Sequence, residues 1–422
     1  MEIKGKFLEI LTCRLGWIFL LAGSVWHQLN AEYSGWTVYN TSNSGLPDNR
    51  VYSIAIEDSI KWIGTHGGLV KFNGTNWTVY NTSNSGLPDN WVSFIAIEGS
   101  TKWIGTHGGL VKFNGTNWTV YNTSNSGLPD NFIFSIAVEE STKWIGTRNG
   151  LARFDSTNWT VYNTSNSGLP DNWVSFIAIE GSTKWIGTCD SGLARFDGVI
   201  WTVYNMGNSN LPDNRVRSIA TLGNTKWIGT RDGGLARFDG VIWTVYDKSN
   251  SGLPYNYVSA LEIEGSNIWI GTYNGLAKFD GTNWTVYDYS NSGLPSNYVN
   301  SIVIENGIIW IGTDGGGLTS YNETGIEEPS ISGFELRNVE LKTLKNPFVK
   351  STIINYYIPA KSNVSLKLYD LSGRVVKTLL NEEKKAGTYN VKVNTKDLSS
   401  GVYFVSLNTA TSTITKKIVL MR

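Results

Sequence analysis

Short runs rich in Val, Ile, Thr, Trp and Tyr alternate with clusters of Gly, Asn, Asp and Ser along most of the chain, and helix signals are nearly absent. From residue 36 to residue 321 the runs return in a fixed order. Val51-Tyr52-Ser53-Ile54-Ala55-Ile56-Glu57 reads as a strand buried on both faces, Lys61-Trp62-Ile63-Gly64-Thr65 as a second, Leu69-Val70-Lys71-Phe72 as a third and Trp77-Thr78-Val79-Tyr80 as a fourth. Asn73-Gly74 joins the last two. An Asn-Gly or Asp-Gly pair stands at that place in five units (also Asn114-Gly115, Asp197-Gly198, Asp239-Gly240 and Asp280-Gly281), which predicts a hairpin turn with positive φ at both residues. The link from one unit to the next, Asn-Ser-Gly-Leu-Pro-Asp-Asn, is a longer loop whose proline and Asn/Asp residues set turns.

The tryptophan of the W-I-G-T run stands at Trp62, Trp103, Trp144, Trp185, Trp227, Trp269 and Trp310, with spacings of 41, 41, 41, 42, 42 and 41 residues. A fixed period of this size means stacked units, none of which buries its own faces alone. Four-stranded units repeated radially make a β-propeller. W-T-V-Y occurs first at Trp36, before any complete unit, and last at Trp284, while the final unit ends in Leu318-Thr319-Ser320-Tyr321 without one. Trp36–Tyr39 therefore supplies the outer strand of the seventh blade and closes the ring, which removes the open edges a solenoid would leave.

The period vanishes after residue 321. Residues 322–339 read as a linker, and residues 340–422 alternate apolar and polar positions between Gly, Asn and Ser turns, the pattern of a small antiparallel β-sandwich. At the other end Lys4, Lys6 and Arg14 precede an apolar run from Leu15 to Trp26, too short for the ~20 residues of a spanning helix. Residues 1–31 are thus expected to be a cleaved signal peptide, with no membrane-spanning segment after its removal. Leu21-Ala22-Gly23-Ser24 resembles a lipoprotein cleavage box, but Ser24 stands where the lipidated cysteine belongs, so no lipid anchor is expected. The expected fold is all-β: a seven-bladed propeller over 32–321, followed by the sandwich.

Composition sharpens this little, and charge does so more. Residues 32–329 carry 17 Lys+Arg against 27 Asp+Glu, and residues 330–422 carry 15 against 6. An acidic repeat region without basic stripes argues against nucleic acid as a partner. With Cys13 in the leader, Cys189 remains alone and forms no internal disulfide.

The V-x-S-I, W-I-G-T and G-G-L series resembles the two-component regulator propeller repeat over residues 36–321. That resemblance implies ligand binding without chemistry, although no kinase segment follows the repeats here. Asn346-Pro347-Phe348, Tyr369-Asp370-Leu371 with Gly373-Arg374, Ala386-Gly387-Thr388-Tyr389, Leu398 through Phe404 and the closing Lys416-Lys417-Ile418-Val419-Leu420 resemble the C-terminal sorting domain of the type IX secretion system. This implies the type IX machinery as a partner of residues 340–422 and a secreted or outer-surface location in a Gram-negative bacterium.

Framework positions barely change among the seven units, and Trp77–Thr106 is identical to Trp159–Thr188, so the positions that do change are informative. Two sets vary most. Ahead of the first strand stand Arg50, Trp91, Phe132, Trp173, Arg215, Tyr257 and Tyr298, and after W-I-G-T stand His66, His107, Arg148, Cys189, Arg231, Tyr273 and Asp314. Because strands of a blade run alternately up and down, both sets fall on one rim. The turn after W-I-G-T is also one residue longer in blades four, five and seven, as loops of a functional face tolerate. Flat aromatic faces with forked donors suit an extracellular glycan or peptide. They equally suit packing between blades.

His66, His107 and Asp314 are metal ligands in kind, but turns on separate blades stand too far apart for bonds of ~2 Å, and neither a metal nor another cofactor is assigned. No nucleophile motif or phosphate loop occurs, and Thr230 to Phe238 falls one residue out of step with the sialidase turn it resembles. The expectation is a non-catalytic ligand binder, with a structural or adhesive scaffold as the alternative and a carbohydrate-active enzyme behind both.

Overall fold

The computed structural model describes residues 35–323, 340–343, 351–358, 361–385, 387–394, 398–409 and 413–420. The expected leader, nearly all of the linker and Asn346-Pro347-Phe348 lie outside the described residues. The chain divides into two compact units between Glu328 and Pro329.

The first unit is seven four-stranded antiparallel sheets. Blade one is Val51–Glu57, Ile60–Thr65, Gly68–Phe72 and Trp77–Tyr80, in that order from the inside outward. In the seventh sheet Trp36–Tyr39 pairs with Gly317–Asn322, in the register Trp36 to Tyr321 and Tyr39 to Leu318. The ring is closed by the chain's own beginning, as the phase of the repeats requires.

The second strand, rather than the first, is the most enclosed: every residue from Lys61 to Thr65 is buried. Its alternation decides where the core sits. Trp62 packs with Val92, Ile95 and Ile104 of blade two, whereas its neighbour Ile63 packs with Trp310 and Leu318 of blade seven. Each core is shared by two blades, which is why one unit cannot fold alone. A Cβ on Gly64 would lie 2.8 Å from Val92 Cγ1 and 2.9 Å from Val92 O. The glycine of W-I-G-T lets the next blade's inner strand come that close.

Polar clasps tie the blades on the face opposite the rim. Lys61 meets Glu305 at 2.6 Å, Lys102 meets Glu57 at 2.9 Å, and Lys143, Lys184 and Lys226 meet Glu98, Glu139 and Glu180 at 2.6 to 2.7 Å. Each lysine is buried, and each glutamate belongs to the preceding blade. Between blades five and six the equivalent places hold Leu222 and Ile268, an apolar replacement for the pair.

The hairpin turn differs from expectation. Phe72 pairs with Trp77, so the loop has four residues, and in it Gly74 takes positive φ (93°) while Asn73 does not. The Asn73 side-chain carbonyl accepts the N–H groups of Thr75 (3.0 Å) and Asn76 (2.7 Å), and this Asx turn replaces the two-residue geometry. Blade three does the same with Asp155, and Ser156 takes the positive φ of 80°.

The second unit is a sandwich. One sheet is Glu340–Thr343, Ser351–Ile358 and Gly387–Asn394, and the other is Val375–Lys384, Ser362–Tyr369, Gly401–Asn408 and Thr413–Leu420. Ile354, Ile358, Leu366, Val405 and Ile418 share one core between them. Among the described residues no helix is long and apolar enough to cross a membrane.

Candidate functional site

Every inner strand slips register after its first residue, as between Val51 and Ser53 in blade one. Such a bulge re-aims one side chain and bends the strand end. On the same rim the residue after W-I-G-T is bonded to the residue ahead of the inner strand. His66 N donates to Arg50 O at 3.2 Å, Cys189 N to Trp173 O at 3.0 Å, Arg231 N to Arg215 O at 2.9 Å, Tyr273 N to Tyr257 O at 3.1 Å and Asp314 N to Tyr298 O at 2.9 Å. The two variable sets are neighbours, and three sectors follow.

Over blades one to three the side chains stack in series. Trp91 stands between His66 (4.8 Å) and His107 (3.9 Å), Tyr52 lies against Trp91 at 5.4 Å, and His107 reaches Phe132 at 4.7 Å. An indole thus separates the two histidines, which accounts for their not converging on a metal. Among the described residues no group of three or more His, Cys, Asp or Glu could hold one. Burial holds the His107 imidazolium below its ordinary pKa, with nearby His66 adding to the effect. Arg50 is already engaged, since it forks onto Asp48 (3.0 and 2.8 Å) and touches His66 Nδ1 at 2.8 Å.

Over blades three to five Arg148 lies 5.4 Å above the Trp173 ring, whose other neighbour is Phe134 at 5.5 Å. Arg215 is held by Asp213 at 3.2 Å and by Asp232. Cys189 is buried, and burial pushes its thiol up. Arg231 is exposed. Over blades six and seven the tyrosines gather: Tyr273 is 4.4 Å from Tyr298 and 5.9 Å from Tyr257. Asp314 lies within electrostatic reach of Arg50 and Tyr52, which joins this sector to the first.

A third variable set belongs to this rim and was hidden inside the V-x-S-I framework. The bulged position holds Tyr52, Ser93, Phe134, Ser175, Arg217, Ser259 and Asn300, and the next holds Ser53, Phe94, Ser135, Phe176, Ser218, Ala260 and Ser301. Small polar members tie the blades together: Ser175 Oγ donates to Val216 O (2.6 Å), Asn300 Nδ2 donates to Val51 O (3.0 Å), and Ser53 Oγ accepts Ile95 N–H (3.0 Å). Large members at the bulged position meet the ring ahead of the next blade's inner strand, Tyr52 on Trp91 (5.4 Å), Phe134 on Trp173 (5.5 Å) and Arg217 on Tyr257 (5.9 Å). Phe94 and Phe176 meet edge to face at 6.1 Å although blade three separates their strands, so two phenyl rings narrow the channel. The signal was in the x of the motif and in the departures from its Ser, Phe94 and Phe176, where large and small residues trade places from blade to blade.

Deeper in the inner strands Glu262 stands where other blades have Ala55, Ala96, Ala137, Ala178, Ala220 and Val303. Burial raises its carboxyl to about 7. That tier supplies no second carboxylate with which to build a glycosidase pair.

Residues 346–421 match the family described as the secretion system C-terminal sorting domain, and residues 293–315 match the two component regulator propeller. The sorting domain marks the chain as secreted or displayed on the outer cell surface. No curated protein matches the chain. Among solved structures it is similar to PorZ, described as a surface component of the type IX secretion system of Porphyromonas gingivalis (18% identity, TM-score 0.55, 92% of this chain and 61% of that one). It is also similar to the extracellular domain of a B. thetaiotaomicron protein described as a hybrid two component system (14%, 0.59, 92% and 60%) and to YCF48 bound to D1 peptide (15%, 0.51, 71% and 98%). At these identities the likeness shows the propeller fold. The chain spans about 60% of the length of the first two.

Proposed function

We propose that this surface or secreted propeller binds an extracellular ligand, a glycan or a peptide, on the rim that carries the bulges, and that it does so without catalysis. The observation that carries this reading is the series Tyr52, Trp91, His107 and Phe132. Four rings from three blades stack in sequence, yet none is buried, and Phe132 remains 37% exposed. Rings needed only to glue blades together would be covered, as Trp62 and Trp103 are at 2% and 1%. Partly open ring faces beside polar donors are the usual furniture of a ligand site. Export through the type IX machinery would put that rim in contact with material outside the cell.

The scaffold reading draws on the same stacking, because Trp91 spends contact area on its two histidines and Tyr52. Binding of the full chain to a panel of polysaccharides and peptides, by titration calorimetry with Trp91→Ala beside it, separates the two. Saturable binding weakened about thirtyfold or more in the variant, the size expected of an aromatic anchor, supports the site. A folded chain that binds nothing in the panel overturns it and leaves the scaffold.

A further inference from the structure

Five buried side-chain polar atoms lack a hydrogen-bond partner among the described residues, and three of them belong to one sector: Trp173 Nε1, Arg217 Nε and Ser218 Oγ. Buried donors without acceptors are costly and call for an explanation, most simply a group that is supplied from outside. Trp173 belongs to blade four and Arg217 and Ser218 to blade five, and Cys189 links the first two, since its N–H is bonded to Trp173 O and its thiol feels the charge of Arg217.

Arg50 and Arg215 show what a rim arginine does when its partner is in the chain, since each is seated on aspartate. Arg217 has none. Its guanidinium lies 5.9 Å from the Tyr257 ring and within electrostatic reach of Tyr298, and no carboxylate pairs with it among the described residues. A planar fork of this kind is suited to a carboxylate. Exposed Arg148 and Arg231 stand in the same sector; Asp171 and Asp190 also lie within electrostatic reach of Cys189 but form no ion pair with Arg217.

We infer that the sector around Arg217 is an anion subsite of the rim, and that it takes the carboxylate of a uronic acid unit in an acidic glycan. This rests on the rim being a ligand site. A uronate carries an apolar sugar face and a carboxylate on one ring, and here an aromatic ring and a fork stand side by side, with Arg217 5.9 Å from the Tyr257 ring. A peptide would need backbone partners as well. At this rim Ser53, Ser93, Ser135, Ser175, Ser259, Asn300 and Ser301 each already hold one amide or carbonyl of a neighbouring inner strand, which leaves a peptide fewer backbone partners there.

The test uses the full chain with three probes: an oligogalacturonate, the same oligomer with its carboxyls reduced to alcohols, and an acidic peptide with a free C-terminus. The expected result is at least tenfold tighter binding of the oligogalacturonate than of its reduced form, with Arg217→Gln erasing the difference and Arg217→Lys keeping part of it. Equal binding of both oligomers would overturn the anion subsite while leaving the rim reading intact, and this comparison needs no variant. Binding of the peptide alone would overturn the glycan assignment. A folded chain that binds none of the three would count against the subsite and the rim together.

Discussion

Lys102 Nζ sits 2.9 Å from both carboxylate oxygens of Glu57, across the seam between blades two and one, and the same carboxylate accepts Trp62 Nε1 at 2.8 Å. The lysine side chain is 4% exposed and the glutamate 16%, and the ammonium also lies 4.7 Å over the Trp62 ring. This is a desolvated pair whose members satisfy each other.

Removing one member strands the other. Lys102→Met should lower propeller stability by about 3 kcal/mol, the range for breaking a buried pair. Replacing both, as Glu57→Leu with Lys102→Ile, copies the Leu222 and Ile268 seam and should recover part of that loss, the remainder being the Trp62 Nε1 donor left without its acceptor. The sandwich has no tryptophan, so fluorescence during urea unfolding follows the propeller alone. A double variant no better than the single one would refute the argument.

Acid and alkali should act on different carboxyls. For Glu57, Glu98 and Glu180 burial raises the pKa, but the bonds from lysine and tryptophan outweigh it and leave each carboxyl below its ordinary value. Their stabilising contribution is therefore present above the unfolded carboxylate pKa and lost as pH falls through the lower folded values. Glu262 has the opposite sign. With its pKa raised to about 7 the folded state holds a proton that the unfolded state releases, so stability falls as pH climbs from the ordinary glutamate value through 7. Glu262→Ala, the residue of five other blades, should stabilise the propeller at pH 8 by on the order of 2 to 3 kcal/mol and hardly at all near pH 4.5. Urea midpoints at the two pH values decide it; a gain of equal size at both would mean that packing, not ionisation, is responsible.

Blade number and closure were legible because W-T-V-Y and W-I-G-T are out of phase, and phase is a property of order in the chain alone. The meeting of His66 with Arg50 was legible too, since strand direction puts both on one rim. The bulge was not. Whether Tyr52 or Arg217 turns to the ring ahead of the next blade's inner strand depends on how its own strand registers against its neighbour, and V-x-S-I says nothing of that. The hairpin was misread for a related reason: Asn73 can cap a turn with its side chain, and the choice between this and a two-residue turn depends on where Phe72 and Trp77 pair. Glu262 was visible as the single acid in a column of alanines, but its burial needed the ring.

Cys189 offers a probe of the proposed subsite. It is 5% exposed, and burial keeps its thiol protonated beyond the ordinary range even with Arg217 and Arg231 nearby. Native chain at pH 8 should react with iodoacetamide at less than roughly a tenth of the rate of the urea-unfolded chain, because the thiolate is the reactive form. Mass spectrometry of the tryptic peptide measures this directly. Rapid native labelling would mean that the seam between Trp173 and Arg217 is open.

The glycine of W-I-G-T makes the sharpest steric prediction. A Cβ at Gly271 would lie 2.6 Å from Val299 Cγ1, 3.1 Å from Ala260 Cβ and 3.1 Å from Val299 Cβ, so its three nearest neighbours are all side-chain atoms. At Gly64 the same atom would also lie 2.9 Å from Val92 O, which cannot be trimmed away. Each glycine-to-alanine change should cost about 1 to 3 kcal/mol by overpacking. Relief should differ. Gly271→Ala with Val299→Ala removes the Cγ1 contact, whereas Gly64→Ala with Val92→Ala leaves the carbonyl approach in place; both valines are 0% exposed, so both pairs carry a cavity cost and the second should regain less than the first. Four urea midpoints read by tryptophan fluorescence test the comparison. Equal behaviour of the two pairs would show that the blades slide apart rather than hold the 2.9 Å approach, and that the ring is softer than its closed register implies.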